Sequence, residues 1–115
     1  MAFDEVTLQR IDKTVGGLCR ARTNPKIVDK LRFDYEVDGH AVSVYEIRPD
    51  WQDPTQHTKM GIARFRYFKS RDEWSLYWMR RDLKWHLYDA DVSVSKQLEP
   101  LVAVVEKDEW CAFFG

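Results

Sequence analysis

Basic and aromatic residues are interleaved through the middle of the chain, between Lys59 and Tyr88. This segment holds eight lysines and arginines but three aspartates and glutamates, a local charge of +5, whereas the 115-residue chain has a net charge of −1. Cationic groups attract phosphates, and aromatic rings stack on nucleobases. The composition of this segment therefore indicates single-stranded nucleic-acid binding, which the near-neutral charge of the whole chain does not suggest.

The hydrophobic pattern of this segment predicts three antiparallel strands, at 62–68, 74–80 and 83–88. The aromatic residues of 74–88 also fit helical spacing, but their abundance and the break at Arg81-Asp82 favour strands. A tight turn at Arg81-Asp82 would pair Tyr77 with His86 and Trp78 with Trp85.

On this register one sheet face is rich in cations and rings. The candidate ligand-binding or nucleic-acid-binding residues on it are Arg64, Arg66, Tyr77 and His86, with Arg48 and Arg80 at its rim. The full predicted face consists of Arg32, Asp34, Ser43, Tyr45, Arg64, Arg66, Ser75, Tyr77, Lys84, His86 and Tyr88.

Three interpretations of this face stay open. It is a binding surface for a single-stranded nucleic acid or a protein partner, an ordinary solvated face, or the contact of a homodimer made by stacking two such faces. Arginine and tyrosine suit all three, because their side chains pack flat on a sheet and are also enriched at interfaces.

Glu46 is a second candidate, at the end of the strand that follows Asp38-Gly39. The strand pattern points its carboxylate toward the helix-covered side, where it needs a partner. An ion pair with Arg48 or Arg80 would fix the loop predicted at 48–60. The alternative is a small-molecule enzyme in which Glu46 acts as general base in a cleft under that loop, with Arg48 and Arg80 lining it.

Other chemistry finds little support in the sequence. Asp50, Asp53 and His57 share one loop, but their spacing matches neither a zinc nor a calcium site, so no metal is predicted. Motifs of dinucleotide-binding proteins, phosphate-binding loops, serine hydrolases and zinc proteases are missing. The sequence therefore predicts no cofactor and favours a non-enzymatic protein.

The remaining elements must position these residues. Apolar residues at helical spacing predict helices at 4–20 and over the stripe from Val94 to Val105, with Gly16-Gly17 weakening or ending the first. Alternation from Leu31 and the Asp38-Gly39 turn predict a hairpin with Tyr35 opposite Val42. The expected fold is a single two-layer α+β domain over 1–115, in the order αβββββα, with both helices on one face of about five antiparallel strands.

The compartment is predicted from the chain start and the cysteines. The sequence begins Met-Ala-Phe-Asp-Glu-Val, without the positive start and apolar run of a signal peptide, and no apolar stretch is long enough for a membrane span. These features predict a cytoplasmic protein with no membrane contact. Cys19 and Cys111 are expected to be free thiols, although a disulfide joining them stays open, because chain ends often lie close together.

Several short motifs together resemble a small bacterial family that is catalogued only as a domain of unknown function. The likeness covers residues 31–115, and its motifs are fairly specific in combination. It implies a bacterial, cytoplasmic protein of one domain, and it assigns no catalytic residue. The motifs are Glu46-x-Arg48-Pro49-x-Trp51, Ile62-Ala63-x-Phe65-x-Tyr67, Trp74-x-Leu76-Tyr77-Trp78-x-Arg80, Lys84-Trp85-x-x-Tyr88 and Phe114-Gly115.

Overall fold

The computed structural model of the chain describes residues 3–89 and 92–114, so Gly115 of the closing motif lies outside the described part. Helix α1 consists of an α-helical stretch (Glu5–Ile11), one π-helical turn (Asp12–Gly16) and a second α-helical stretch (Gly17–Arg22). A short 3-10 helix follows at Pro25–Ile27. The later elements are β1 (Arg32–Asp38), β2 (Ala41–Pro49), β3 (His57–Phe68), β4 (Glu73–Met79), β5 (Trp85–Leu87), β6 (Val94–Ser95) and α2 (Glu99–Lys107).

The strands form one antiparallel sheet in the order β1-β2-β3-β4-β5, which confirms the α+β class. β5 and β6 both pair with β4, at its two ends. The sequence did not indicate β6, and the helical stripe predicted to start at Val94 is wrong there. Val94 pairs with Ser75 in the sheet, and α2 starts only at Glu99, where Pro100 fits the first turn of a helix.

Both helices pack on the same face of the sheet and enclose the hydrophobic core. Phe65 lies at its centre, fully buried between Val42 of β2 and Leu76 of β4. We call the opposite side of the sheet the open face, because none of the helices in the described part of the chain packs on it. The other core side chains include Ile11, Val15, Leu18, Val44, Ala63, Leu98, Leu101 and Val105.

Gly16 allows α1 to approach β1 closely. The prediction that Gly16 and Gly17 end the helix early is wrong, because α1 continues through both to Arg22. A Cβ atom on Gly16 would lie 2.9 Å from Oδ1 of Asp12 and 3.1 Å from Cε1 of Tyr35, whereas one on Gly17 would meet nothing within 4 Å. Packing against the sheet thus outweighs the low helix propensity of glycine.

The two glycines therefore respond oppositely to alanine. Gly17→Ala is expected to raise the free energy of unfolding by about 1 kcal/mol, the helix-propensity difference. Gly16→Ala gains the same propensity but displaces Tyr35 and Asp12, at a cost of about 1–3 kcal/mol, so it is neutral to destabilising. Urea denaturation of both variants tests this, and equal stabilisation of the two would contradict the close approach.

The first hairpin turns one residue later than the sequence predicts. Asp38 pairs with Ala41, so the two loop residues are Gly39 and His40, with Gly39 at a φ of 58°. Tyr35 therefore lies opposite Val44 rather than Val42. Because the register differs by two residues, every side chain keeps its predicted face.

The loop predicted at 48–60 is shorter in the structure, because β2 and β3 stay paired as far as Pro49 and His57. The connection is 50–56, where Asp50 and Asp53 accept hydrogen bonds from backbone N–H groups of their own loop. This end of the ribbon projects beyond the core and is solvated, which is why its sequence shows no apolar alternation.

A β-bulge in β3 changes which of its side chains face the helices. Val44 pairs with Ala63 but Tyr45 pairs with Gly61, so Ile62 is an extra residue. Ile62 and Ala63 are both buried in the core. The bulge thereby brings Gly61, rather than Ile62, onto the open face.

The connection between β4 and β5 is longer than the predicted tight turn at Arg81-Asp82. The N–H of Leu83 donates to the carbonyl of Arg80 at 2.9 Å, and the N–H of Arg80 donates to the carbonyl of Lys84 at 3.2 Å. Leu83 has a φ of 61°, a left-handed conformation that glycine usually occupies in such three-residue loops. Leucine gives no sequence sign of this geometry.

The extra loop residue shifts the β5 register by one position. Tyr77 pairs with Leu87 rather than with His86. A shift of one residue turns every side chain of a strand over. Trp85 and Leu87 therefore lie on the open face, and His86 and Tyr88 lie on the helix side, where Tyr88 is 2% exposed.

The two edges of the sheet offer few free backbone donors. On the outer side of β1, the N–H of Phe33 donates to the Thr23 hydroxyl and the N–H of Tyr35 donates to the Asp34 carboxylate, both at 2.9 Å. At the other edge β5 and β6 are three and two residues long.

The C-terminal segment folds back onto the core around Asp108. Asp108 follows α2 with a φ of 48°, and its carboxylate accepts hydrogen bonds from the N–H groups of Phe113 and Phe114. Phe113 is buried beside Tyr88, with ring centroids 4.9 Å apart, whereas Trp110 is exposed. The apolar tail thus packs on the body, as its composition predicts, but only through its last part.

Candidate functional site

The open face is divided by charge. The β1 side contributes carboxylates, β3 contributes guanidinium groups, and β4 and β5 contribute mostly apolar and aromatic groups. Arg64 and Arg66 of β3, which we call the basic pair, therefore lie between an acidic edge and an aromatic one. The two cross-strand rows that contain them are Glu36, Ser43, Arg64, Tyr77, Leu87 and Asp38, Ala41, Arg66, Ser75, Val94.

The basic pair is free of carboxylate partners. Among residues 3–89 and 92–114, no acidic side chain pairs with Arg64 or Arg66. Ser43 and Ser75 beside them are 5% and 3% exposed, so the arginine stems lie over small residues on a flat part of the sheet. The guanidinium of Arg66 lies 4.9 Å from the ring centroid of Phe68. A guanidinium group without a carboxylate partner remains available to an external anion.

Trp85 lies on this face, although the predicted register placed it on the helix side. A Cβ atom on Gly61 would lie 2.8 Å from Cη2 of Trp85 and 2.7 Å from Cε of Met79, so these side chains cover the backbone of Gly61. Both side chains are half-buried, as is Tyr77. The available sequence signal was Gly61 itself, because glycine inside a strand often marks a close approach of another group.

Other cations of the open face have internal partners. Lys59 donates to Glu36 at 2.6 Å and lies 4.9 Å from the ring centroid of Tyr45. Its hydrogen bond to Glu36 raises the pKa of Lys59. Arg71 pairs with Glu73 at 2.8 Å. At the middle of the described part of the face, Arg64 and Arg66 are thus the cations without a carboxylate partner.

Three predicted residues, His86, Arg80 and Arg48, lie away from this site. His86 projects to the helix side, and its Nε2 lies 2.8 Å from Oδ2 of Asp82, a hydrogen bond that lowers the pKa of Asp82. The guanidinium of Arg80 lies 5.6 Å from the ring centroid of Trp78, which also belongs to the helix side. The placement of His86 on the open face is therefore wrong, for the reason given by the β5 register.

Glu46 and Arg48 form a separate group on the projecting ribbon. The side chain of Glu46 is 19% exposed, and its Oε1 accepts a hydrogen bond from Nε of Arg48. Arg80 contributes to a different contact, with Trp78. The geometry thus joins two of the three residues that the enzyme interpretation requires, and it joins them to each other.

A groove with a volume of about 740 Å³ lies between α1 and β1. Tyr35 donates its hydroxyl to Asp12 at 2.8 Å, which lowers the pKa of Asp12. Burial, followed by this hydrogen bond, raises the pKa of Tyr35 to about 12. Arg20 closes the group by donating to the backbone carbonyl of Asp12 at 2.9 Å. The side chains of Asp12, Arg20 and Tyr35 therefore satisfy one another.

The cysteines and the loop acids form no reactive centre. Cys19 and Cys111 are both free thiols, and burial raises the pKa of Cys19 to about 12. Within the described ranges, no three histidine, cysteine or acidic side chains are grouped closely enough to hold a metal ion. Hydrogen bonds from Thr55 lower the pKa of Asp53, which is engaged in its own turn. No helix among the described residues is long and apolar enough to cross a membrane.

Comparison with known proteins gives one result. A family model described as a domain of unknown function, DUF3024, matches residues 3–115. No curated protein and no solved structure matches the chain. The match covers almost every residue and agrees with the resemblance that the sequence motifs indicate. The chain therefore belongs to the DUF3024 family, a family of unknown function.

Proposed function

We propose that this protein is a non-enzymatic binding module that takes single-stranded nucleic acid on its open face. The observation that carries the proposal is the basic pair, Arg64 and Arg66, which has no carboxylate partner in the described part of the chain and adjoins aromatic side chains. Open antiparallel sheets with this combination bind phosphates through the cations and bases through the rings. A cytoplasmic location belongs to the same proposal and is supported by the two free thiols.

The alternative function, a small-molecule enzyme around Glu46, receives less support from the geometry. The carboxylate of Glu46 is engaged by Arg48, and Arg80 stacks on Trp78 instead of completing a cleft. The groove between α1 and β1 does not include Glu46 among its lining residues. The homodimer interpretation uses the same open face, so it competes with nucleic acid for Arg64 and Arg66.

Fluorescence anisotropy with a labelled, mixed-sequence single-stranded oligonucleotide tests the proposal. We expect saturable binding that weakens as salt is raised, because each neutralised phosphate releases counterions. The double variant Arg64→Ala/Arg66→Ala should bind at least tenfold more weakly. Lys26→Ala/Lys30→Ala is the matched control, since it removes the same charge from exposed positions on another part of the molecule.

The affinities of the two double variants for the oligonucleotide show whether binding depends on the basic pair or on net charge. Equal affinity for the oligonucleotide would show that binding depends on net charge alone and would overturn the proposal. Native mass measurement of the same samples reports the oligomeric state. A dimer that the Arg64→Ala/Arg66→Ala change dissociates would assign the open face to self-association instead.

A further inference from the structure

The charges and rings of the open face differ from one β-strand to the next. A bound single-stranded nucleic acid therefore has a definite orientation on this face. We infer that the phosphates follow β3, at Arg64 and Arg66, and that the bases point toward β5 and stack on Tyr77 and Trp85. This inference rests on the proposed function, because it concerns the same face. It adds the side of the sheet on which the bases lie and the number of phosphates that are contacted.

The β1 side of the rows is unfavourable for a phosphate backbone. Glu36 and Asp38 occupy the β1 positions in the rows of Arg64 and Arg66. Two strand spacings of about 4.8 Å separate these carboxylates from the basic pair. The resulting distance of about 9.6 Å is close to the Debye length of about 10 Å at 0.1 M salt, so these charges still interact at low ionic strength. Phosphates are therefore attracted to β3 and disfavoured beside Asp38 of β1, whereas the charge of Glu36 is balanced by Lys59.

The ring on the β1 side is also occupied. Tyr45 of β2 is covered by the ammonium group of Lys59, which lies 4.9 Å from its ring centroid and is held by Glu36. A base that turned toward β1 would have to displace this cation. Tyr77, in contrast, pairs directly with Arg64 on the neighbouring strand and belongs to the other side of the basic pair.

The β5 side offers a second ring in a fixed position. The indole of Trp85 reaches from β5 across Met79 to the backbone of Gly61 on β3. Because Gly61 has no side chain, the indole lies close to the sheet, and its half-buried state leaves part of the ring open to a base. Trp85 and Tyr77 thus form a stacking surface beside the basic pair.

The number of free cations sets the salt dependence. Lys59 and Arg71 are paired with Glu36 and Glu73, so two guanidinium groups remain for phosphates at the centre of the face. For single strands, the slope of log K against log salt is about −0.7 for each neutralised phosphate. We therefore expect a slope of about −1.4 for the wild type and a shallower slope of about −0.7 for Arg64→Gln.

Two kinds of oligonucleotide separate phosphate contacts from base contacts. Trp85→Leu and Tyr77→Leu are each compared with Trp51→Leu, a control in which an 87% exposed tryptophan of the 50–56 connection is replaced. Each oligonucleotide is used intact and with abasic sites, which keep the phosphates. Circular dichroism and thermal denaturation show whether the variants are folded, and the two leucine variants serve as independent tests.

We expect Trp85→Leu and Tyr77→Leu to weaken binding of the intact oligonucleotide about five- to 150-fold, with the salt slope unchanged. Neither variant should weaken binding of the abasic oligonucleotide, which has no base to stack at those sites. If both bind the intact oligonucleotide like the wild type, while Arg64→Ala/Arg66→Ala does not bind, the orientation is wrong and the proposed function stands. If the wild type binds no oligonucleotide at low salt, the proposed function and this inference both fail.

Discussion

Asp108→Ala is expected to lower the free energy of unfolding by about 2–4 kcal/mol, among the largest effects of any single polar change in the chain. The carboxylate of Asp108 holds the returning C-terminal segment with two hydrogen bonds, Oδ1 to the N–H of Phe113 at 3.0 Å and Oδ2 to the N–H of Phe114 at 2.8 Å. Bonds to a charged group contribute about 1.5–3 kcal/mol each, and the lower end of that range applies here because Asp108 is only half-buried. Guanidinium denaturation, followed by circular dichroism, measures the loss.

The variant Asp108→Asn separates the contribution of the hydrogen bonds to stability from that of the left-handed backbone conformation. Asparagine tolerates the left-handed φ of 48° but has one acceptor oxygen, so an intermediate loss is expected. Glu109→Ala is the neighbouring control, with an expected change below about 0.5 kcal/mol, because the contact of Glu109 with Lys107 is solvent-exposed. A loss in Asp108→Ala no larger than that control would show that packing of Phe113 alone holds the segment.

Phe65→Ala and Arg66→Ala should give opposite results, although the residues are adjacent on β3. Phe65 is fully buried among the helices and neighbouring strands, and its truncation is expected to destabilise the fold by about 3–5 kcal/mol. Arg66 is exposed on the open face, so its removal should change stability by less than about 0.5 kcal/mol. Urea denaturation gives the first quantity, and oligonucleotide anisotropy should show that Arg66→Ala binds more weakly.

Phe65→Leu keeps this comparison valid if Phe65→Ala does not fold. Leucine retains much of the buried volume, so the variant should fold with reduced stability and bind the oligonucleotide with unchanged affinity. Weakened binding by folded Phe65→Leu would indicate that affinity depends on core packing. That result would contradict the assignment of binding to the open face.

The fold class could be predicted from the sequence because the predicted strands alternate with a period of two and both predicted helices carry an apolar stripe. Errors arose where the backbone conformation depends on a residue type that gives no warning. Leu83 adopts a left-handed conformation that sequence rules reserve for glycine and asparagine. The continuation of α1 through Gly16 depends on contacts with Tyr35, a residue of another element.

The candidate site was only partly predictable for the same reason. Arg64, Arg66 and Tyr77 lie together as the pattern indicates, because the strands that carry them have the expected faces. Trp85 lies on the open face and His86 on the helix side, the reverse of the prediction, because one extra loop residue turned β5 over. Arg48 and Arg80 lie elsewhere because their contacts, with Glu46 and Trp78, are local.

The occupied donors of β1 have a consequence for solubility. An exposed strand edge can recruit a strand from another molecule, which leads to sheet extension and aggregation. Here the Thr23 hydroxyl and the Asp34 carboxylate already bind the outward N–H groups of Phe33 and Tyr35. The opposite edge consists of two very short strands. Polymerisation by strand addition is thus disfavoured at both edges, even though the sheet keeps one whole face open to solvent.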